Sequence, residues 1–273
     1  MSFAALAFPA MDPIALHLGP ITVRWYGLAY LSAFVASFFL LRWLSRRWKL
    51  DLTDDDLLSI VLAAVIGVVV GGRLGYVLFY SGGTYLAHPA EIFAIWTGGM
   101  SFHGGLLGIL IAGAVVARIL RIPWLTLCDL GAACAPIGLF FGRLANFVND
   151  ELWGRVTTVP WGVVFPFAGA SPRHPSQLYE AALEGVVIFA VMLWLAIRRP
   201  APPRGVLLGW LLTLYGAFRI FVELFREPDI QIGFLPGGAT MGQLLSIPVL
   251  LLGIGLLVWA YRRRLPQRGQ QIS

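Results

Sequence analysis

Seven apolar runs, each close to the length of a bilayer core and separated by loops, constrain this chain more than anything else in it. They fall at about 25–42, 57–79, 98–118, 123–143, 177–197, 205–225 and 242–261. A helix needs about 20 mostly apolar residues to cross a hydrocarbon core of ~30 Å. The runs therefore predict an all-α integral membrane protein of about seven transmembrane helices, with 1–273 forming a single transmembrane domain. The link between the fourth and fifth runs, about 144–176, is the longest. Its Pro160, Pro166, Pro172 and Pro175 argue for an irregular segment rather than another span.

Composition supports the same solvent. Only 12% of the residues are charged and 58% are hydrophobic, with a mean hydropathy of +0.79. A soluble domain carries about twice that share of charge, and a disordered chain would lack the apolar and aromatic content. The net charge of +6 does not point to nucleic acid, because the basic residues sit between apolar runs rather than on one soluble face. The first basic residue is Arg24, so the basic start of a cleavable signal peptide is not expected. Cys128 and Cys134 lie in an apolar stretch with no His or second Cys pair nearby. They read as small core residues rather than metal ligands or a disulfide.

Charge also orients the chain. Alternate loops carry Arg42, Arg46, Arg47 and Lys49; Arg118 and Arg121; Arg198, Arg199 and Arg204; and Arg262, Arg263, Arg264 and Arg268. The positive-inside rule places these loops in the cytoplasm, with the N-terminus outside and the C-terminus inside. The remaining basic residues, Arg24, Arg73, Arg143, Arg155, Arg173, Arg219 and Arg226, then fall at the outer side or in the outer half of a span. An arginine in mid-helix costs roughly 2.5–3.5 kcal/mol on insertion scales, so each needs a partner or an aqueous cavity. Snorkelling to headgroups explains any one of them. A shared anion site explains arginines on several helices at once.

Other polar groups fall at the same depth. Tyr26 opens the first helix, and His103 lies one turn into the third. Asn146, Asn149 and Glu151 follow the fourth, and His174, Gln177, Tyr179 and Glu180 begin the fifth. Tyr215, Arg219 and Glu223 recur every four residues and so share a face of the sixth helix. Glu223 has a structural role open to it as partner of Arg219. His103 reads equally as a packing residue or a base; its flanking glycines leave room for a substrate. Gly67, Gly71 and Gly75, with Gly104 and Gly108, form small-residue stripes that let helix backbones approach closely.

The segment Gly142-Arg143-Leu144-Ala145-Asn146-Phe147-Val148-Asn149-Asp150-Glu151-Leu152-Trp153-Gly154 resembles the signature of the prolipoprotein diacylglyceryl transferases at every specified position. So do Ser101-Phe102-His103-Gly104-Gly105, the run His174-Pro175-Ser176-Gln177-Leu178-Tyr179-Glu180, the Tyr215, Arg219 and Glu223 face, and the segment 241–246. The resemblance covers nearly the whole chain. It implies transfer of the diacylglyceryl group of phosphatidylglycerol to the thiol of a lipobox cysteine in a preprolipoprotein, without metal or nucleotide. A thioether forms and glycerol phosphate leaves, at the outer face of a bacterial inner membrane.

That chemistry needs a deprotonated thiol and a held phosphate. Guanidinium forks bind phosphate bidentately, so Arg143 and Arg219 are expected on the phosphodiester. His103 is the expected base, or a group orienting the phosphate, with arginine-assisted deprotonation as the rival. Tyr26, Asn146, Glu151 and Tyr215 are expected to hydrogen-bond the glycerol headgroup or brace the arginines, and Arg73, Gly154 and Glu223 complete the expected substrate site. An anion transporter or channel is the alternative from another class, although no internal repeat is visible and the polar groups are biased to one side. An intramembrane protease is weaker still, since neither H-E-x-x-H nor G-x-S-x-G occurs.

Overall fold

A computed structural model describes residues 6–9, 11–19, 21–80, 83, 85, 88–95, 98–228 and 233–267. Arg268, counted above among the cytoplasmic basic residues, lies outside them. After a two-residue strand β1 (Leu6–Ala7) and a hairpin of β2 (Ile14–Leu18) and β3 (Ile21–Arg24), the chain is helical: α1 (Trp25–Trp48), α2 (Asp54–Phe79), α3 (Phe102–Ile119) and α4 (Trp124–Val148). A short strand β4 (Val163–Val164) precedes α5 (Ser176–Ala196), α6 (Val206–Val222) and α7 (Met241–Arg263). β1 pairs with β4 in parallel, and β2 with β3 antiparallel. Six helices are long and apolar enough to cross a membrane, and α6 is a shorter apolar helix. All seven expected runs are helices, and the chain is a multi-pass membrane protein.

Its surface is inverted relative to a soluble protein. Phe39, Ile66, Leu107, Leu251 and Leu252 are each more than half exposed, while Asp129, Glu180 and Glu184 are buried. Only lipid can cover such a surface without a large hydrophobic penalty.

The helix ends depart from the expected ones in ways the local chemistry explains. α1 runs on to Trp48, so Arg42, Arg46 and Arg47 sit on the helix rather than in a loop. Their long stems lie along it: the Arg47 guanidinium stacks 5.4 Å from the Trp43 ring, and Arg42 pairs with Asp54 at 2.7 Å. Thr53 then caps α2 in a reciprocal box with Asp56. α3 begins at Phe102 rather than 98, because Gly98 and Gly99 hold φ of 87° and 76° and Ser101 supplies the N-cap. α4 extends to Val148, which puts Asn146 in its last turn. The irregular segment therefore starts at 149.

The described residues cluster into two compact units, those among Met1–Leu40 and Asp129–Pro266, and those among Leu41–Cys128 and Gln267–Ser273. In the second, α2 and α3 meet along their glycines. A Cβ on Gly75 would lie 2.7 Å from the Cα of Gly104, and one on Gly67 would lie 2.7 Å from the carbonyl oxygen of Gly108. In the first, α6 packs on α7 through Gly209, Gly216 and Gly253. Asp129 of α4 caps the start of α6, accepting from the N–H groups of Gly205 and Leu208 at 2.7 and 3.0 Å.

Candidate active site

The site is built where α4 ends, α5 begins and α6 ends, all within the first unit. The segment after α4 folds back on its last turn. The Glu151 N–H donates to the Asn146 carbonyl at 3.1 Å, and Asn146 Nδ2 donates to Glu151 Oε1 at 2.7 Å. Asn149 Nδ2 reaches the same oxygen at 3.5 Å. The reversal needs two non-glycine residues in the left-handed region, Asp150 at φ 54° and Leu152 at 59°. Each such residue costs on the order of 1–3 kcal/mol, which its surroundings must offset. Asp150 is held by accepting from the Phe167 N–H at 2.8 Å.

Gly154 is fixed by what surrounds it. A Cβ there would lie 2.5 Å from the Phe225 carbonyl oxygen and 2.6 Å from that of His174. Its own N–H donates to His174 O at 2.9 Å, and its carbonyl accepts from Arg173 Nη1 at 3.1 Å. Only a residue without a side chain lets these three stretches of backbone meet. α5 then opens against the same loop: Ser176 Oγ donates to Leu152 O at 3.1 Å, and Gln177 Nε2 donates to Glu151 O at 2.7 Å.

Three guanidiniums meet on Glu180, one turn into α5 and only 1% exposed. Arg143 Nε lies 2.5 Å from Oε2, while Arg219 Nη1 and Arg226 Nη1 lie 2.6 and 3.0 Å from Oε1. Arg219 Nη2 is also 2.5 Å from Glu223 Oε1, the i,i+4 partner expected on its helix face. Thr240, the N-cap of α7, donates from its hydroxyl to Glu223 Oε2 at 2.6 Å. The close approach needs Gly242, where a Cβ would lie 2.5 Å from the Glu223 carboxyl carbon. Arg155 donates from Nε and Nη2 to the carbonyls of Arg226 and Glu223 and stacks 4.9 Å from the Phe234 ring. Glu184, fully buried on the next turn, lies 3.7 Å from Arg143 Nη2. An isolated buried ion would cost several kcal/mol; interleaving three guanidiniums with three carboxylates offsets that. Arg143 and Arg219 keep 18% and 14% of their side chains exposed, so the cluster has an accessible edge.

The structure thus brings together Arg143, Asn146, Glu151, Gly154, Arg219 and Glu223. Tyr26 is within electrostatic reach of Glu151 and Arg143, with its hydroxyl 3.2 Å from that of Tyr30. Tyr215 is within reach of Glu184 and Arg219. His103 and Arg73 belong to the second unit. His103 is exposed in the first turn of α3, its ring edge-on to Phe102 at 5.6 Å. Arg73 is 3% exposed and donates to four backbone carbonyls: Ile92 from Nε, Gly98 and Gly99 from Nη1, and Glu91 from Nη2. It also stacks 5.1 Å from the Tyr85 ring. That geometry makes Arg73 the staple of the loop before α3.

Beside the cluster, Trp161 Nε1 donates to the Tyr179 hydroxyl at 2.7 Å, and that hydroxyl lies 3.1 Å from His174 Nδ1. An indole N–H can only donate, so the Tyr179 oxygen accepts from Trp161, and the hydroxyl sits between the indole and the imidazole. Burial lowers the pKa of His174 below its ordinary 6.5. It raises that of Asp150 above 3.8, although the Phe167 N–H pulls the other way.

Glu184 is not among the expected site residues, and Glu180 and Arg226 are expected only as members of the outer polar set, with no individual role. The signal for the two acids was present, since a carboxylate inside an apolar run needs a buried partner. Which arginine answers which acid depends on helix packing and has no sequence signature.

A family profile described as prolipoprotein diacylglyceryl transferase matches residues 13–259. A protein of Geobacter sulfurreducens named phosphatidylglycerol–prolipoprotein diacylglyceryl transferase is 51% identical over 259 residues, covering 95% of this chain and 99% of its own. Proteins of the same name from Rhodospirillum centenum and Vibrio atlanticus are 52% and 47% identical. They cover 94% and 96% of this chain, and 94% and 96% of their own lengths.

Proposed function

The chain belongs to the prolipoprotein diacylglyceryl transferase family, and on that premise we propose that it moves the diacylglyceryl group of phosphatidylglycerol onto a prolipoprotein. The acceptor is the thiol of the lipobox cysteine. Its sulfur attacks the glyceryl carbon that bears the phosphate, the C–S bond forms as the C–O bond breaks, and the electron pair leaves with glycerol phosphate. The thiol proton passes to a base. This is the first step of lipoprotein maturation, carried out in the inner membrane with the site toward the periplasm. The anion-transporter reading falls away, because the relatives that match end to end are transferases.

One observation carries the residue assignment: guanidiniums from α4 and α6 meet on a single buried carboxylate with an edge still open. Arg143 and Arg219 grip the phosphodiester and the developing charge of the leaving group, where fixed donors in a water-poor site act most strongly. Asn146, Glu151, Tyr26 and Tyr215 contact the glycerol headgroup or brace the arginines. Glu223 holds Arg219. Gly154 acts through the close backbone approach it permits, and Arg73 through the loop that leads into α3. His103 takes the thiol proton or orients the phosphate. Near-normal turnover in His103→Gln or His103→Ala would remove the base assignment and leave the arginine-assisted route.

The test is a reconstituted reaction of phosphatidylglycerol with a lipobox peptide. Wild-type protein is expected to give a thioether-linked diacylglyceryl peptide, and folded Arg143→Ala and Arg219→Ala to lose it. No product from folded wild type with both substrates present would overturn the reading.

A further inference from the structure

Arg143, Arg219 and Arg226 come from α4, from α6 and from the segment just after α6, and they share one acceptor, the Glu180 carboxylate. We propose that Glu180 is a positioning residue for the transfer: it sets the mutual placement of Arg143 and Arg219 and does not itself touch substrate. The inference rests on the functional reading above.

The two carboxylate oxygens are used differently. Oε2 takes the Nε of Arg143, and Oε1 takes the Nη1 of both Arg219 and Arg226. Arg143 thus meets the carboxylate through Nε, the nitrogen nearest its stem; its Nη2 lies 3.7 Å from Glu184 Oε2, and its Nη1 is turned to neither acid. Arg219 is clamped twice, by Glu180 through Nη1 and by Glu223 through Nη2, which leaves Nε. One rigid carboxylate therefore spaces the two guanidiniums and sets which N–H groups remain for a phosphodiester. Arg226, nine-tenths buried, serves as counter-charge and not as a second grip.

Glu180 is itself held from both sides. The two residues of the same turn that precede it, Ser176 and Gln177, are tied to the carbonyls of Leu152 and Glu151. Immediately after it, α5 widens into a π-helical stretch, Ala181–Val187. Such stretches are rare and recur at functional sites. Within this one, Gly185 lies against Phe140, where a Cβ would come 2.7 Å from the Phe140 Cβ. That contact draws α4 onto α5 one turn before Arg143. The fold thus invests a glycine contact, a helix irregularity and two loop ties in the placement of one carboxylate.

Substitution by Gln keeps the shape of Glu180 and removes its charge. The arginines then lose their fixed spacing while the site becomes more favourable for an anion. In lipid nanodiscs with a lipobox peptide, Glu180→Gln is expected to lower kcat about 100-fold, the effect of a misplacement of ~1 Å, with KM for phosphatidylglycerol unchanged or lower. Glu180→Asp restores the charge at a shorter reach and is expected to recover about tenfold of that loss. A merely structural role would scale Vmax with the folded fraction and leave no deficit per folded molecule. Arginine-labelled protein gives a readout independent of turnover: the Arg143 Nε–H resonance, identified by its loss in Arg143→Lys, should move in both Glu180 variants.

A kcat for Glu180→Gln within about threefold of wild type overturns the proposal, as does an unmoved Arg143 resonance. Should Glu180→Gln fail to fold, Glu180→Asp decides by the same two readings. If wild type makes no thioether while the resonance still moves, the transferase reading fails and Glu180 still positions the arginines.

Discussion

Among single residues, Arg73 and Arg219, both within apolar helices, have opposite surroundings. Arg219 faces carboxylates and keeps an open edge, whereas Arg73 gives its guanidinium to backbone carbonyls. Removing one partner of a buried ion pair costs about 3–5 kcal/mol, and leaving a buried carbonyl unsatisfied costs about 1–3 kcal/mol, so both matter to folding; only Arg219 presents charge to a ligand. Lys at position 73 keeps the charge but cannot fork to carbonyls on both sides of the 91–99 loop. Arg73→Lys is therefore expected to loosen that loop, and chymotryptic cleavage after Phe93, which is already 78% exposed, should quicken several-fold. Unchanged cleavage would mean that the staple is dispensable. His174 offers a second test. Its folded pKa lies below the unfolded value of 6.5, so the unfolded chain takes up a proton first as the pH falls. The stabilisation from neutral His174 is complete above 6.5 and declines as the pH drops from there through the folded pKa. Melting temperatures of wild type and His174→Gln should converge from pH 8 to 5, and a constant gap would count against it.

At the level of elements, the α2–α3 contact is the least forgiving. A methyl at Gly104 would run into the Gly71 carbonyl and the Gly75 Cα, backbone atoms that cannot rotate away. Overpacking of this kind costs about 1–3 kcal/mol. Gly104→Ala should lower the melting temperature and the folded yield on size exclusion, while Gly138→Ala, with open space at its Cβ, should change neither. Equal behaviour of the two would discount the contact. The glycine stripes were legible in the sequence because close helix approach demands small residues at fixed spacing. The seven helices were legible too, because bilayer thickness sets their length. The π-helical stretch at Ala181–Val187 was not, since Ala-Ala-Leu-Glu-Gly-Val-Val reads as ordinary helix until Phe140 presses on Gly185. Nor was the pairing of Leu6–Ala7 with Val163–Val164, which joins residues far apart in the chain. The signature pointed to Arg143, and the helix period linked Arg219 to Glu223. That both arginines close on Glu180 depends on how α4, α5 and α6 pack, and no local pattern encodes it.

For the molecule as a whole, the distribution of basic residues sets which side of the membrane the cluster faces. The end of α4, the start of α5 and the end of α6 share one set of ion pairs, so they lie on one side. At the opposite ends stand Arg198, stacked 3.6 Å from the Trp194 ring, and Arg204, whose N–H donates to the Leu265 carbonyl just beyond α7. Arg262 and Arg263 close α7 beside them. The cluster is rich in arginine too, but its guanidiniums are matched by buried carboxylates and would not hold a loop in the cytoplasm. The unmatched basic residues do, at roughly 1 kcal/mol each near an anionic inner leaflet. The cluster is therefore expected outside, where a secreted precursor presents its cysteine. A fluorescent protein fused after Arg264 should fold and fluoresce in the cytoplasm, and alkaline phosphatase fused after Glu227 should be active. The reverse pattern would put the arginines on the cytoplasmic face and, with them, the acceptor thiol, which would require lipidation before export rather than after it.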